Sequence, residues 1–201
     1  MTRMLAMPSI ATSIASSFAL LIACRGPEAA PPTPRSSAST PHAVPAEATS
    51  SAQVGGAIEV PLEARSDAKL SGKATFTETP DGVRMVMDVA GISPGKHGVH
   101  VHEKGDCSAP DAMSAGAHFS PEGHPHGLPP TQPRHLGDLG NLEAGEDGRA
   151  HFEAVAPHAN LQPGDRRSFV DRSIIVHAKP DDGSQPSGNS GARIGCGVIR
   201  P

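Results

Sequence analysis

From residue 57 onward, short stretches of alternating apolar and polar residues are separated by turns. Residues 57–64, for example, place Ile58, Val60 and Leu62 on one side of an extended chain and two glutamates on the other. This two-residue period is typical of a strand with one buried face. The stretches that read as strands are 57–64, 72–79, 83–89, 97–103, 150–155, 173–176 and 194–199.

The connections between these stretches complete the prediction of fold class. Gly- and Pro-rich turns such as 80–82 and 145–148 join several of them, and none of the stretches has a helical period. This combination favours an all-β antiparallel sandwich or barrel. Residues 105–138 and 180–192 lack strand character, so we expect two long loops, which in compact domains are usually functional.

The amino terminus is predicted to lie outside this fold. Arg3 precedes an apolar run over 10–23 that is too short to span a bilayer as a stable helix. The run ends in Leu21-Ile22-Ala23-Cys24, which resembles a bacterial lipobox, so residues 1–23 are predicted to be a lipoprotein-type signal peptide and Cys24 to be lipidated. The alternative is an ordinary signal peptide with an incidental cysteine.

Composition divides the rest of the chain in two. Residues 24–54 are Pro, Ala, Ser and Thr with hardly a large apolar side chain, which predicts a disordered tether. Residues 55–201 form the predicted domain.

The formal charge of −4 argues against a nucleic-acid partner, which requires a basic face. The chain has no Trp and no Tyr, which are common interface anchors, so a homodimer is an open alternative to a monomer.

Histidines are concentrated in the second half of the chain. His100 and His102 are two residues apart on a predicted strand, so both point to the same face. Such a pair suits copper or zinc, although half-buried strands carry this spacing for other reasons.

The following loop adds His118, His126, His135 and Asp138. Three imidazole nitrogens and one carboxylate oxygen form a closed tetrahedral set, the arrangement expected of structural zinc. His124 is a rival to His126 for the second place, but the eight-residue gap after His118 favours His126. His177 follows the apolar stretch 174–176 and completes the series.

Five segments together resemble the copper-zinc superoxide dismutase family. The likeness extends over residues 57–199, and the run from Glu103 to Cys107 is closer to the exported bacterial branch than to the cytosolic animal one. The segments are Gly98-Val99-His100-Val101-His102-Glu103-Lys104-Gly105-Asp106-Cys107, Ala115-Gly116-Ala117-His118-Phe119, His135-Leu136-Gly137-Asp138-Leu139-Gly140-Asn141, Val176-His177, and Gly191-Ala192-Arg193-Ile194-Gly195-Cys196-Gly197-Val198-Ile199.

The resemblance implies a fold and a set of roles. The fold would be an eight-stranded antiparallel Greek-key sandwich or barrel with two long functional loops. Each chain would hold one copper and one zinc, with His118 as a deprotonated imidazolate between them. Copper would be held by His100, His102, His118 and His177, and zinc by His118, His126, His135 and Asp138.

Four further residues receive roles by the same resemblance. Asp181 would accept hydrogen bonds from the non-ligating nitrogens of His100 and His126. Arg193 would attract the anionic substrate beside the copper, and with His118 it would form the catalytic pair. Cys107 and Cys196 would form a disulfide, which the chain-entropy model values at about 4 kcal/mol.

The function implied is conversion of superoxide to oxygen and hydrogen peroxide by copper redox cycling. The alternatives are a non-catalytic dismutase-like lipoprotein that binds zinc or copper, and a metal-sequestering lipoprotein in which His124 and His158 add binding capacity. The expected location is the bacterial cell envelope, lipid-anchored on the periplasmic side. Arg25 provides no acidic retention signal, which favours the outer membrane.

One departure from the family concerns the loop before Arg193. Residues 183–192 carry no charge, whereas the corresponding loop in much of the family is longer and charged. The sequence therefore leaves substrate attraction to Arg193 and Lys179, and predicts a weaker dependence of the rate on ionic strength than the family usually shows.

Overall fold

The computed structural model describes residues 56–201. The predicted signal peptide, the lipidation site Cys24 and the tether over 24–54 lie outside the described residues. Within residues 56–201, no helix has the length and apolar character needed to cross a membrane.

The described chain contains eight β-strands and one short 3-10 helix, Met113–Ala115. All pairs of neighbouring strands are antiparallel. The all-β fold is therefore confirmed. The strands are β1 (Ile58–Ala64), β2 (Ser71–Thr79), β3 (Gly82–Ala90), β4 (Gly95–His102), β5 (Asp138–Ala144), β6 (Arg149–Pro157), β7 (Ser173–His177) and β8 (Arg193–Val198).

The strands follow one another in space in the order β5-β4-β7-β8-β1-β2-β3-β6. The connections from β3 to β4 and from β5 to β6 cross between opposite ends of this order, as in Greek-key folds. β5 and β6, the two end strands, also lie against each other and nearly close the sheet into a barrel.

The alternation seen in the sequence sets which face of each strand is buried. In β1, Ile58, Val60 and Leu62 face the core and the intervening residues are exposed. In β4, Val99 and Val101 face the core, so His100 and His102 must face the opposite side of the sheet.

Aromatic packing links the core to the first long loop. Phe76 and Phe169 meet edge to face with ring centroids 6.3 Å apart, and Phe119 meets Phe169 at 6.2 Å. Burial of a phenylalanine side chain contributes about 1.5–3 kcal/mol. The Phe119 amide also donates to the carbonyl of Val101 at 2.9 Å. Its neighbour His118 is therefore held against β4.

A disulfide joins Cys107 in the same loop to Cys196 in β8, across 89 residues of sequence. This pairing confirms the one implied by the family resemblance. Arg65 reinforces the attachment, since its Nε donates to the carbonyl of Cys107 at 2.9 Å. The loop that follows β4 is thus fixed to the barrel at both Cys107 and Phe119.

Candidate metal centre

Two groups of side chains that could hold a metal ion meet beside β4. We call His100, His102, His118 and His177 the strand cluster, because three of the four lie on β4 and β7. We call His118, His126, His135 and Asp138 the loop cluster, because all but Asp138 at the start of β5 lie in the loop after β4. In each group, one potential ligand atom per residue lies within 4.8 Å of the others.

The strand-borne histidines of the strand cluster are each tied to the protein through one ring nitrogen. Such a bond fixes the ring and leaves the other nitrogen without a proton. The bonds run from His100 Nε2 to Asp181 Oδ2 (2.8 Å), from His102 Nδ1 to the Gly116 carbonyl (2.9 Å) and from His177 Nδ1 to the Gly191 carbonyl (3.3 Å).

The second nitrogen of each of these rings is buried and has no hydrogen-bond partner. These atoms are His100 Nδ1, His102 Nε2 and His177 Nε2. A buried polar atom without a partner costs about 1–3 kcal/mol. Three such atoms converging on one point are explained by a cation that binds their lone pairs.

Burial keeps two of these imidazoles, His102 and His177, neutral. Burial, reinforced by the nearby His118 and Arg193, holds the pKa of His102 well below its usual value. Burial and the neighbouring His100 lower the pKa of His177 to about 3. The lone pairs are therefore available at neutral pH to a metal that favours imidazole, such as copper.

The loop cluster is arranged around a single carboxylate. The Nδ1 atoms of His118, His126 and His135 lie 3.0, 3.1 and 3.2 Å from oxygens of Asp138. Burial alone would raise the pKa of Asp138, but its contacts with these three rings hold the pKa well below its usual range. Backbone amides of Gly127 and His135 also donate to Asp138 Oδ2, at 3.0 and 3.2 Å.

His126 shows most clearly that this cluster fits a cation. Its Nε2 donates to Asp181 Oδ1 at 2.9 Å. Its Nδ1 is buried and lies 3.1 Å from Asp138 Oδ2 without making a hydrogen bond. Burial lowers the pKa of His126, but Asp138 and Asp181 outweigh burial and raise it to about 9. The site thus attracts positive charge, which a zinc ion held by three nitrogens and a carboxylate would supply.

His118 belongs to both clusters. Its Nδ1 faces Asp138, while its ring stacks on His100 with centroids 3.9 Å apart. Because the two imidazole nitrogens lie on different edges of the ring, Nε2 points away from Asp138. A single side chain therefore offers one nitrogen to each cluster.

Asp181 contacts one histidine of each cluster, as the family resemblance implied. Its two carboxylate oxygens accept from His100 and His126. The side chain of Asn141, whose role the sequence did not indicate, makes two hydrogen bonds with the backbone of Asp181. The Asp181 amide donates to Asn141 Oδ1 at 2.7 Å, and Asn141 Nδ2 donates to the Asp181 carbonyl at 2.9 Å. Gly188, with φ +74°, passes so close to this carboxylate that any Cβ would collide with it.

The loop over 180–192 is also attached directly to the loop cluster. The Gln185 side chain accepts from the His126 amide at 3.1 Å and donates to the His126 carbonyl at 2.8 Å. Sequence reasoning missed this contact, since a single glutamine in a polar loop carries no distinguishing signal.

The rivalry between His124 and His126 is resolved by position. His126 is buried against Asp138, whereas His124 is exposed. His158 is also exposed. Among residues 56–201, neither His124 nor His158 belongs to a group that could hold a metal ion.

Arg193 lies at the start of β8, beside the strand cluster. Its guanidinium donates to the carbonyls of Ala112 and Gly116 at 2.8 and 2.7 Å. The Gly116 carbonyl also accepts from His102 Nδ1, so one oxygen positions both side chains. Burial lowers the pKa of Arg193, but a guanidinium remains charged at any physiological pH.

A cavity of about 1350 Å³ opens onto this region, and its walls include His118, His177 and Arg193. Three more cations, Lys104, Arg166 and Arg172, line the cavity, against two carboxylates, Glu103 and Asp111. Within the described chain, Lys179 is not part of the lining. The cavity therefore carries an excess of positive charge that the sequence of the 183–192 loop did not indicate.

Comparison with known proteins places these features in a family. Residues 70–199 match the family described as copper/zinc superoxide dismutase (SODC). The superoxide dismutase [Cu-Zn] of Caulobacter vibrioides is 44% identical over 140 residues, covering 67% of this chain and 80% of that protein.

Two solved structures are similar to this chain in fold and in sequence. A SOD-like protein from Bacillus subtilis is 37% identical with a TM-score of 0.63, covering 70% of this chain and 97% of its own. The clock protein EA4 is 35% identical with a TM-score of 0.65, covering 72% of this chain and 93% of its own.

Proposed function

Because the chain belongs to the copper/zinc superoxide dismutase family, we propose that it is a superoxide dismutase that holds one copper and one zinc ion. In the overall reaction, two superoxide anions and two protons give one molecule of oxygen and one of hydrogen peroxide. The observation that carries this proposal is the set of buried, unpartnered nitrogens on His100, His102 and His177.

The ligand assignments follow from the two clusters. The strand cluster would hold copper, and the loop cluster would hold zinc, with His118 shared. When bound, copper supplies the one-electron oxidation and reduction of superoxide, whereas zinc is redox-silent and structural.

Arg193 provides the anion-binding side of the site. Two carbonyl oxygens fix its guanidinium at the cavity wall near His118 and His177. The remaining guanidinium surface is available to a small anion. Together with Lys104, Arg166 and Arg172, it raises the local concentration of superoxide. The structure thus favours a stronger salt dependence of the rate than the loop sequence alone indicates.

His118 is the proposed proton donor. It is nine-tenths buried, and its remaining surface is part of the cavity wall. Since Nδ1 is directed to Asp138, a proton carried on Nε2 faces the strand cluster and the incoming anion. Delivery from Nε2 to the reduced oxygen species would supply one of the two protons of hydrogen peroxide, and solvent in the cavity would supply the other.

The test combines metal content with superoxide consumption. The purified protein, loaded with copper and zinc, should bind one of each and accelerate superoxide decay, and the zinc-only protein should not. Copper binding without acceleration would favour the non-catalytic dismutase-like lipoprotein. Copper or zinc bound well beyond one each would favour metal sequestration.

We also propose that the protein is anchored by a lipid at Cys24 on the periplasmic side of the bacterial envelope, in the outer membrane. The lipobox-like Leu21-Ile22-Ala23-Cys24 and the non-acidic Arg25 support this location. Cys24→Ala should release the protein into the soluble periplasmic fraction. Continued membrane association of that variant would overturn the proposal of a lipid anchor.

Light scattering of the purified protein separates a monomer from a homodimer.

A further inference from the structure

Met113 is the one methionine of residues 56–201 whose side chain is open to solvent. It is 60% exposed, whereas Met85 and Met87 on β3 are 1% and 0% exposed. Thioethers are oxidised by peroxide according to their accessibility. The two β3 methionines are therefore protected, and Met113 is not.

The position of Met113 is as distinctive as its exposure. Its side chain lines the same cavity as His118, His177 and Arg193. It begins the short helix Met113–Ala115, which is held in place by a bond from the Met113 amide to Asp111 Oδ1 at 3.0 Å. The flanking carbonyls of Ala112 and Gly116 are the two acceptors of Arg193. The backbone around Met113 is thus fixed, and its exposed side chain lies in the wall of the cavity that also contains His118 and His177.

We propose that Met113 is a specific oxidation site for the hydrogen peroxide formed by this protein, an inference that rests on the proposed function. In this step, the thioether sulfur attacks one peroxide oxygen, the O–O bond breaks and an S–O bond forms. The proton of the transferred oxygen moves to the departing hydroxide, which leaves as water. Sulfur is oxidised by two electrons to the sulfoxide, and the peroxide is reduced.

Other sulfur atoms of the described chain do not compete for this peroxide. Cys107 and Cys196 are joined in a disulfide. The sulfoxide would add a polar oxygen to the segment that holds Arg193, where the apolar thioether now lies.

A second exposed methionine, placed outside the cavity, distinguishes oxidation by peroxide formed at the site from oxidation by peroxide in bulk solution. Val155 on β6 is 45% exposed and is not part of the cavity lining. Val155→Met places a second thioether of similar exposure away from the cavity. With reagent hydrogen peroxide, Met113 and the introduced thioether should oxidise at similar rates, and Met85 and Met87 should remain reduced.

The decisive arm uses the copper- and zinc-loaded Val155→Met protein, a superoxide source and enough catalase to remove bulk peroxide. Peptide mass spectrometry should show sulfoxide at Met113 in at least about tenfold excess over the introduced thioether, because only Met113 meets peroxide before it escapes. Zinc-only protein in the same mixture should show no such excess.

The outcomes separate this inference from the proposed function. If the loaded protein consumes superoxide but oxidises both exposed thioethers equally, Met113 is an ordinary surface methionine and the inference is overturned. If the protein does not consume superoxide, the proposed function fails directly, and the product-oxidation site fails with it. Protection of Met113 from reagent peroxide would overturn the inference whatever the activity.

Discussion

The strand cluster and the loop cluster share one histidine yet differ in how they are built. The strand cluster consists of four imidazoles, three of them on strands of the sheet, with a cavity at its side. The loop cluster surrounds an anionic carboxylate, Asp138, which receives three rings and two backbone amides.

The difference shows how a fold assigns two tasks to similar ligands. Three ligands of the strand cluster are positioned by the paired strands β4 and β7, and a cavity lies beside them. A cluster set on a loop has no such scaffold, so the Asp138 carboxylate and the bound metal must hold its histidines in place. The strand cluster is therefore suited to chemistry and the loop cluster to structure.

Removing the central charge of the loop cluster should have the largest effect. Asp138→Asn removes a ligand and leaves three imidazoles without their anion. Loss of a residue that only hydrogen-bonds to a metal ligand lowers metal affinity by up to about 100-fold, so the zinc affinity of this variant should fall further than that. Metal analysis after dialysis should show that zinc is lost while copper is retained. Zinc retained at the wild-type level would show that Asp138 does not hold the loop cluster together.

The bridge between the clusters should give the next largest effect. Asp181→Asn weakens the acceptor for His100 and His126, so the affinities for copper and zinc should each fall about 10–100-fold. Competition with a chelator measures both affinities. Asp182→Asn is the matched control, because that neighbouring carboxylate is exposed and bonds to Ser184 and Asn189. If only one affinity falls, Asp181 does not couple the clusters.

A third variant should affect the strand cluster alone. Arg193→Ala should slow superoxide consumption by about tenfold and reduce the dependence of the rate on salt, because a steering cation is lost. Both metals should stay bound. Lys179→Ala, which removes a cation outside the cavity lining, should leave the rate near wild type. An unchanged rate in Arg193→Ala would remove that residue from the site.

The smallest effect is expected at the outer edge of the loop cluster. Glu122 lies between His118 and His126 in sequence and pairs with Arg167 at 2.7 Å and Arg166 at 3.4 Å. Since both arginines are exposed, Glu122→Gln should lower the stability by no more than about 1 kcal/mol. Thermal unfolding measures this loss against Glu143→Gln, a change at another exposed carboxylate. A larger loss would contradict the expectation that Glu122 contributes no more than an ordinary exposed ion pair.

The strand cluster was the more predictable of the two from sequence. The two-residue period fixes His100 and His102 on one face, and the antiparallel fold was confirmed. One strand, β5, was not delimited by the pattern. Several of its residues are buried on both faces and Gly140 interrupts it, so the usual alternation is absent.

The loop cluster could be predicted only in part, because a loop has no repeating geometry. The eight-residue gap after His118 favours His126 over His124, and the burial of His126 agrees with that choice. The contacts of Asn141 and Gln185 also lay beyond prediction, since they join segments that are distant in sequence. The excess of cations in the cavity arises in the same way, from loops that meet only in the folded chain.

The central claim is that both clusters share His118, and the electron paramagnetic resonance spectrum of bound copper(II) tests it most directly. In the wild-type protein, the spectrum should change when zinc is added, because zinc binds the opposite nitrogen of a copper ligand. In His118→Ala, added zinc should leave the copper spectrum unchanged. A wild-type copper spectrum that does not respond to zinc, with both metals bound, would contradict the shared ligand.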